Sequence, residues 1–494
     1  MRRLEVENNP INLDRMLRFA KMGSLALVDP NDASSSRTTN SFRQYSREDI
    51  LGYLKDPRRN SENLIDASIY LYSTDLIYRR ICTYFATMPT YDYVLVPLKM
   101  KDYEESAADS YRKSYTKSIT LVENMNLRQL AQNMTKTIVR EGAYYAIEVS
   151  TNDSYMHLQI PHKYCKVSTW EDGCPLLTID MSFFDRQQTL LESIGGTIKS
   201  AFEAYKKDNK KKWVTLDSNT GVCILGDETI DYIVPLLAGL FSDIYLLEDY
   251  KDLVKSKEVI ELYKLISLKL PLDEDGKLLM PESMAIKYYN QMANQLPEQI
   301  GLALNPFTLN EVSFKQSSAD RDATARAERD LWSTAGVSTL LFNNEKASST
   351  ALVESMMNDY SFILPIVRSI ERWINKKLKM LSGSTKFKLV FPDVNIYTRT
   401  KFAENLRKDM QYGLPVRTML TAVDTGYTPS DVMGMLFMEN EVMKLNERMI
   451  PPVSSNTISV SSDEGGRPTK SEDELSESGE QTRESDGNEG RADV

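Results

Sequence analysis

The sequence has little of what disulfide-rich, membrane-spanning or metal-binding proteins depend on. Four cysteines in 494 residues are too few for a disulfide framework, and the separation of Cys165 and Cys174 is not that of zinc ligands. No run of about 18 uncharged apolar residues occurs, and the first residues do not have the pattern of a secretory signal. The sequence therefore predicts a soluble protein made in a reducing compartment, with no membrane span.

Catalytic motifs are equally scarce. The string 195–200 lacks the glycine that precedes the lysine of a nucleotide phosphate-binding loop. Only two histidines, His157 and His162, are present, and neither lies in a nucleophile motif. An EF-hand-like spacing begins at Pro271, which has no ligand side chain, so a hairpin turn explains Gly276 better than calcium does. We expect no catalytic residue, no metal and no cofactor, and predict that the chain is not an enzyme.

Acidic residues are concentrated at the C-terminal end. The net charge is −10, and the segment from Val453 to Val494 contains eleven acidic and four basic residues and no aromatic residue. Such a segment buries too little apolar surface to offset its ordering entropy, so it is predicted to be disordered. The rest of the chain is nearly balanced in charge.

Helical and strand-like patterns alternate before that tail and predict an α+β fold. Ser46 and Asp49 have the spacing of a capping box. Apolar residues three and four apart predict one long helix from Ser61 to Met88, which Pro89 ends. Short β-type runs from Ala143 to Leu225 predict the strands of a mixed domain.

Two highly charged segments, Val234 to Ile266 and Ala319 to Ala335, have helical patterns with a narrow apolar stripe. A small α/β insertion, Ser267 to Phe314, separates them. A polar loop, Val337 to Thr350, follows, and then a regular helix in which Pro365 predicts a kink. A helix with a narrow stripe is half solvated or packs against copies of itself. The charged helices are therefore expected to stand side by side in a ring.

Several strings, taken in order, are similar to those of one protein family. They are Tyr78–Tyr93, Pro161–Tyr164, Asp180–Asp185, Trp332–Asn343, Lys346–Leu352 and Tyr412–Pro415. Through them the chain resembles the portal proteins of tailed double-stranded DNA bacteriophages, from about Asp49 to Pro452. No string is diagnostic alone; the resemblance depends on their order.

The resemblance implies the portal fold, mainly helical, with the following parts. They are an N-terminal arm (1–45), an α+β wing (46–233), stem helix 1 (234–266), a clip (267–316), stem helix 2 (317–336), a tunnel loop (337–350), a second wing part with the long helix (351–397), crown or upper-wing helices (398–452) and the acidic tail (453–494).

The function that the resemblance implies is that of a head–tail connector. Portal subunits form a ring, usually of twelve copies, at one capsid vertex of the virion, after synthesis in the host bacterial cytoplasm. The ring conducts double-stranded DNA during packaging and ejection, and it binds the large terminase, the capsid or scaffolding protein and then a head–tail adaptor. A channel in which DNA slides must not bind phosphates tightly, which agrees with the nearly neutral body.

Two sets of residues are candidates for these contacts. In the loop, Lys346 is the candidate phosphate contact, with Asn343 and Asn344 as polar neighbours, although Lys346 could instead pair with Glu345 or with an adjacent subunit. The candidates for contacts between subunits in the stem are Lys251, Lys255, Arg321, Arg326 and Arg329.

Two other classes of protein remain as alternatives. A capsid scaffold or head–tail adaptor would also lack catalytic motifs, but scaffolds are typically rich in coiled coil and the predicted strands disfavour one. A DNA-packaging enzyme is disfavoured by the missing phosphate-binding loop.

Overall fold

Helices and small sheets make up the fold, which confirms the predicted α+β class. The computed structural model describes residues 23–26, 45–98, 108–151, 154–262, 264–269, 280–294, 300–305, 318–337, 349–383 and 385–444. Its α-helices are α1 Arg47–Lys55, α2 Ser61–Thr74, α3 Leu76–Thr87, α4 Ala108–Asn124, α5 Leu127–Glu141, α6 Gln188–Ile194, α7 Gly196–Lys207, α8 Phe241–Leu262, α9 Glu282–Ala293, α10 Ser318–Thr334, α11 Ser349–Met380, α12 Arg399–Gln411, α13 Arg417–Thr425 and α14 Pro429–Phe437. Its strands are β1 Gly23–Ala26, β2 Val94–Pro97, β3 Ala143–Ser150, β4 Tyr155–Gln159, β5 Cys165–Glu171, β6 Cys174–Asp180, β7 Trp213–Thr215, β8 Gly221–Leu225, β9 Lys264–Lys269, β10 Ile300–Asn305 and β11 Phe387–Val390.

The start of the described helical region is partly as predicted. Ser46 and Asp49 form the expected capping box at the beginning of α1. The single helix predicted from Ser61 to Met88 is wrong, because α2 ends at Thr74 and α3 begins at Leu76. Asp75 separates them: its backbone is extended, and its carboxylate accepts a hydrogen bond from the backbone N–H of Tyr78, which caps α3.

The strands predicted between Ala143 and Leu225 are confirmed and form two sheets. In the first, the order is β1-β4-β3-β8, with Ile147 of β3 opposite Leu158 on one side and Gly221 on the other. In the second, β6 lies between β5 and β7 and pairs antiparallel with both. One apolar core lies among these strands, α6 and α7, and includes Phe184 and Phe202.

The larger core is mainly helical and is crossed by α11. Four apolar residues of α11 that recur three and four positions apart, as the regular helical pattern predicts, are buried: Ile363, Val367, Ile370 and Ile374. Pro365 lies inside this helix, and the kink predicted there stays a prediction. α11 also holds strand β11, since the side chain of Asn375 exchanges two hydrogen bonds, of 2.9 and 2.7 Å, with the backbone of residue 389.

The helix predicted from Val234 to Ile266 begins later, at Phe241, after the short 3-10 turn Ala238–Leu240. It also ends earlier, at Leu262, and Ile266 belongs to strand β9. The narrow apolar stripe noted in the sequence of this helix consists of Leu240, Ile244 and Leu247, and all three are buried in the larger core of the same chain. Of the two alternatives for such a helix, packing only against copies of itself is therefore wrong for this stripe.

Several predicted features lie outside the described residues. They are most of the arm 1–45, the turn around residue 276, residues 306–314 of the insertion, the loop residues 338–348 and the tail 453–494. None of the described helices is both long and apolar enough to span a membrane.

The chain divides into two units, Met1–Met433 and Gly434–Val494. The described part of the second unit consists of the end of α14 and the π-helical turn Met438–Val442. Leu436 and Phe437 of this unit are exposed. Whether the helices after residue 398 form a crown stays a prediction.

Candidate functional site: the paired charged helices

The two charged helices, α8 and α10, pack against each other. Phe241 and Ile244, in the first turn of α8, lie in the same buried cluster as Leu331 and Trp332, near the end of α10. The first part of α8 and the last part of α10 are thus both buried in the larger core, and we call these two ends the base of the pair. Their joint base is anchored in the larger core.

Burial decreases along α8 away from this base. Leu247 is buried, whereas Tyr250 and Leu253 are 36% and 57% exposed. Leu246, Tyr250 and Leu253 are spaced four and three residues apart, so they share one face of the helix. α8 therefore has a second apolar stripe, which the sequence reading missed because charged residues interrupt it.

Three of the five candidate stem residues have described side chains. Lys251 of α8 and Arg326 and Arg329 of α10 are exposed. Lys255 and Arg321 belong to the same two helices, but their side chains are outside what the structure describes. The fold thus places all five residues on one helix pair.

The insertion between the two helices contains a parallel strand pair. β9 and β10 are in register from Lys264 opposite Ile300 to Lys269 opposite Asn305, and α9 lies between them in sequence. This is a β-α-β arrangement, as parallel pairing of sequential strands requires. The exposed apolar side chains of α9 are Met284, Ile286, Tyr288 and Met292.

The predicted tunnel-loop contacts Asn343, Asn344 and Lys346 fall outside the described residues. On either side of them, Val337 is buried and α11 begins at Ser349.

His157, one of two histidines considered for catalysis, is fully buried between two tyrosines. The Tyr144 hydroxyl lies 3.1 Å from its Nδ1, and the Tyr155 hydroxyl lies 2.9 Å from its Nε2. The Trp373 ring of α11 packs edge-on against the imidazole. Burial lowers the pKa of His157 from 6.5 to about 3, with a smaller contribution from the charge of Lys377. His157 is therefore a neutral link between the first sheet and α11.

This burial predicts a pH dependence of stability. The unfolded chain protonates His157 near pH 6.5, whereas the folded chain does so only near pH 3. The contribution of His157 to the free energy of unfolding is thus complete above pH 6.5 and decreases as the pH falls. At pH 4.5 the protein should be less stable by roughly 2–3 kcal/mol for this reason. In His157→Gln, the free energy of unfolding measured with urea should differ less between pH 7.5 and pH 4.5 than it does in the wild type. An equal difference would contradict this assignment.

The four cysteines are free thiols that are buried or half-buried. Cys82, Cys174 and Cys223 are buried and Cys165 is half-buried, all without a disulfide. Burial raises the pKa of the Cys82 thiol to about 12, which disfavours the reactive thiolate. Among the described residues, no group of three His, Cys, Asp or Glu side chains could hold a metal ion.

A polar groove of about 550 Å³ lies where α12 and α13 meet the body. Asp92, nearly fully buried at its wall, receives a 2.7 Å contact from Arg128 and lies 3.8 Å from Arg399. Arg128 also donates to the carbonyl of Gly426, and Arg399 to that of Val423. These bonds attach the C-terminal helices to the body, and no sequence pattern predicts them.

No known protein-family model matches this chain. Among curated proteins, the U3 small nucleolar RNA-associated protein 10 of Lodderomyces elongisporus is 30% identical over 148 residues, which are 29% of this chain. The chain spans only 7% of the length of that protein. Among solved structures, a chain described as "Virion of native gene transfer agent (GTA) particle" has a TM-score of 0.40 and 12% identity, over 78% of this chain and all of that one. Likenesses this limited do not assign a family or a function.

Proposed function

We propose that this chain is a portal subunit, which forms a ring at a capsid vertex of a virion and conducts double-stranded DNA. The observation that carries the proposal is the second apolar stripe of α8, Leu246, Tyr250 and Leu253, which becomes exposed beyond the anchored base. Adjacent exposed apolar side chains mark an interaction surface. In a closed ring, the same stripe is covered by the adjacent copy.

The charges of the helix pair fit a wall along which DNA slides. Lys251 is followed by Asp252 on α8, and Arg329 is followed by Asp330 on α10. Alternating signs limit the number of phosphates that can be neutralised at once, which keeps non-specific affinity low. We assign Lys251, Lys255, Arg321, Arg326 and Arg329 to contacts between subunits, and Lys346, with Asn343 and Asn344, to transient contact with DNA.

The insertion is the proposed docking site for large terminase and then for an adaptor. Its helix α9 exposes four large apolar side chains, including Ile286 and Tyr288. Aromatic and methionine side chains are enriched at protein interfaces, and exposed apolar groups of this size mark them.

Ring formation tests the proposed function. The purified full chain should form closed rings in negative-stain electron microscopy, with a mass in solution several times that of the 56.4 kDa subunit. Leu253→Glu should abolish rings and leave a folded monomer, since it places a charge in the subunit contact. The matched control is Leu76→Glu on α3, where leucine is 74% exposed and a charge should change nothing. A wild-type monomer at micromolar concentration, or intact rings with Leu253→Glu, would contradict the proposal.

A further inference from the structure

A lysine-rich turn joins α7 to β7 on the α+β body. Residues 205–213 contain five lysines and one aspartate, in a chain whose net charge is −10. The turn is short, since α7 ends at Lys207, a 3-10 turn covers Asn209–Lys211 and β7 begins at Trp213. The positive charges are therefore held within a small area of the surface.

Two of the five lysines are neutralised and three are not. Lys206 lies 2.8 Å from Asp185, and Lys212 lies 2.8 Å from Asp180. Lys207, Lys210 and Lys211 are exposed, and no acidic side chain of the described structure pairs with them. We call these three lysines the basic turn.

The aspartate within the segment does not cancel this charge by an ion pair. The carboxylate of Asp208 accepts a 3.0 Å hydrogen bond from the backbone N–H of Lys210. It thereby caps the 3-10 turn and fixes the backbone that carries Lys210 and Lys211. The basic turn is a defined feature of the fold.

An exposed aromatic side chain and a fourth cation border the basic turn. The indole of Trp213 is 39% exposed, and the ammonium of Lys166 lies 4.0 Å from the centre of that indole. Beside Lys166 on the second sheet, the hydroxyls of Ser168, Thr178 and Thr215 lie 2.6 to 3.1 Å from one another. Lysine and hydroxyl side chains are typical donors to nucleic-acid phosphates.

We propose that the basic turn, with Lys166 and Trp213, binds the phosphate backbone of double-stranded DNA. This surface belongs to the α+β body and is separate from the α8–α10 pair, so the proposal does not rest on the ring. It adds a second site of DNA contact to the one proposed for the loop. Because the charge here is of one sign, this site holds DNA, unlike the mixed-sign helix pair along which DNA slides.

The kind of cation favours DNA over an acidic protein as the partner. The basic turn is made of lysine alone, although the chain contains arginine elsewhere. Protein interfaces are enriched in arginine and depleted in lysine, because the guanidinium binds carboxylates bidentately. Lysine binds phosphate as a point charge without fixed geometry. The surface is therefore suited to a non-specific contact with a polyanion.

DNA binding tests this proposal through its salt dependence. The full-length protein is titrated against a fluorescein-labelled 20-base-pair duplex, with anisotropy read between 50 and 200 mM KCl. The variant Lys207→Gln/Lys210→Gln/Lys211→Gln loses three phosphate contacts, so its slope of log K against log salt should be shallower by about 2.7 than that of the wild type. At 50 mM KCl it should also bind the duplex at least about tenfold more weakly than the wild type.

Two matched variants separate a local contact from a change in net charge. Lys113→Gln/Lys401→Gln/Lys408→Gln removes three exposed, dispersed lysines and should bind DNA like the wild type. The triple Lys→Arg variant of the basic turn keeps its charge and should retain binding. Circular dichroism should be the same for all variants.

Two results would overturn the proposal. One is equal weakening of DNA binding by the basic-turn and dispersed variants. The other is tighter binding of a labelled polyglutamate peptide than of the duplex at the same salt, lost in the basic-turn variant, since this would identify an acidic protein as the partner.

Discussion

Gly142→Ala should lower the free energy of unfolding by more than about 3 kcal/mol, because backbone occupies the space of the added methyl group. Gly142 ends α5 in the left-handed conformation, with φ at 83°. A Cβ there would overlap the carbonyl oxygen of Val234 and lie 2.7 Å from its carbonyl carbon. The left-handed conformation alone costs alanine about 1–2 kcal/mol, and the overlap forces two backbone segments apart.

Gly413→Ala is the matched control for conformation without crowding. Gly413 has a φ of 80°, but a Cβ there meets no atom within 4 Å. We expect Gly413→Ala to lower the free energy of unfolding only by the conformational cost, about 1–2 kcal/mol. Urea denaturation followed by circular dichroism measures both variants. Equal losses for the two would show that the approach of Val234 to Gly142 is not tight in solution.

The contact between Gly142 and Val234 also lies where the chain enters the charged helix pair. Val234 lies on the segment that leads to α8, and the carbonyl of Gly142 accepts a 2.8 Å hydrogen bond from Gly226, at the end of β8. Gly142 therefore fixes where the charged helix pair leaves the body. If the pair lines a ring, Gly142→Ala should also reduce ring formation.

Local patterns predicted most elements of the fold correctly. The strands from Ala143 to Leu225 and the capping box of Ser46 depend on neighbouring residues only, so a sequence is enough to predict them. The helix break at Asp75 was missed because the apolar spacing continues across it, and a single aspartate can either cap a helix or lie on its surface.

The sequence of an apolar stripe does not show which surface will bury it. The apolar stripe of α8 is expected from the sequence to face neighbouring copies, yet its residue Ile244 is buried in a core that also contains Leu331 and Trp332, about 90 residues later in the same chain. The candidate stem residues do lie on two helices, as periodicity predicts, whereas their role between subunits stays a prediction. The basic turn was overlooked, since its charge matters only once Asp180 and Asp185 are known to neutralise Lys212 and Lys206.

Lys377→Met should lower the free energy of unfolding by about 3–5 kcal/mol, because it leaves a buried carboxylate without its counter-charge. Lys377 of α11 and Glu148 of β3 form an ion pair with side chains only 7% and 8% exposed. The ammonium also donates a 3.3 Å hydrogen bond to the carbonyl of Asn219. Burial raises the pKa of Glu148, and the charge of Lys377 opposes that shift.

A neighbouring lysine on the same helix provides the control. Lys379 lies 3.1 Å from Asp172, with both side chains 51% exposed. Lys379→Met should cost less than about 1 kcal/mol, since water screens an exposed pair. The double variant Glu148→Gln/Lys377→Met should recover part of the loss, because the amide needs no counter-charge.

The pH dependence distinguishes a lost charge from lost packing in Lys377→Met. Without the ammonium, the pKa of Glu148 in the folded state rises further above that of the unfolded chain. A raised folded-state pKa stabilises the protein at low pH, and this contribution disappears as the pH rises through it. The loss of unfolding free energy in Lys377→Met, relative to the wild type, should therefore be smaller at pH 5 than at pH 8. Urea denaturation at the two pH values measures it. A deficit that is the same at both pH values would mean that Lys377 holds α11 on the sheet through its aliphatic chain, and that Glu148 is already protonated in the wild type.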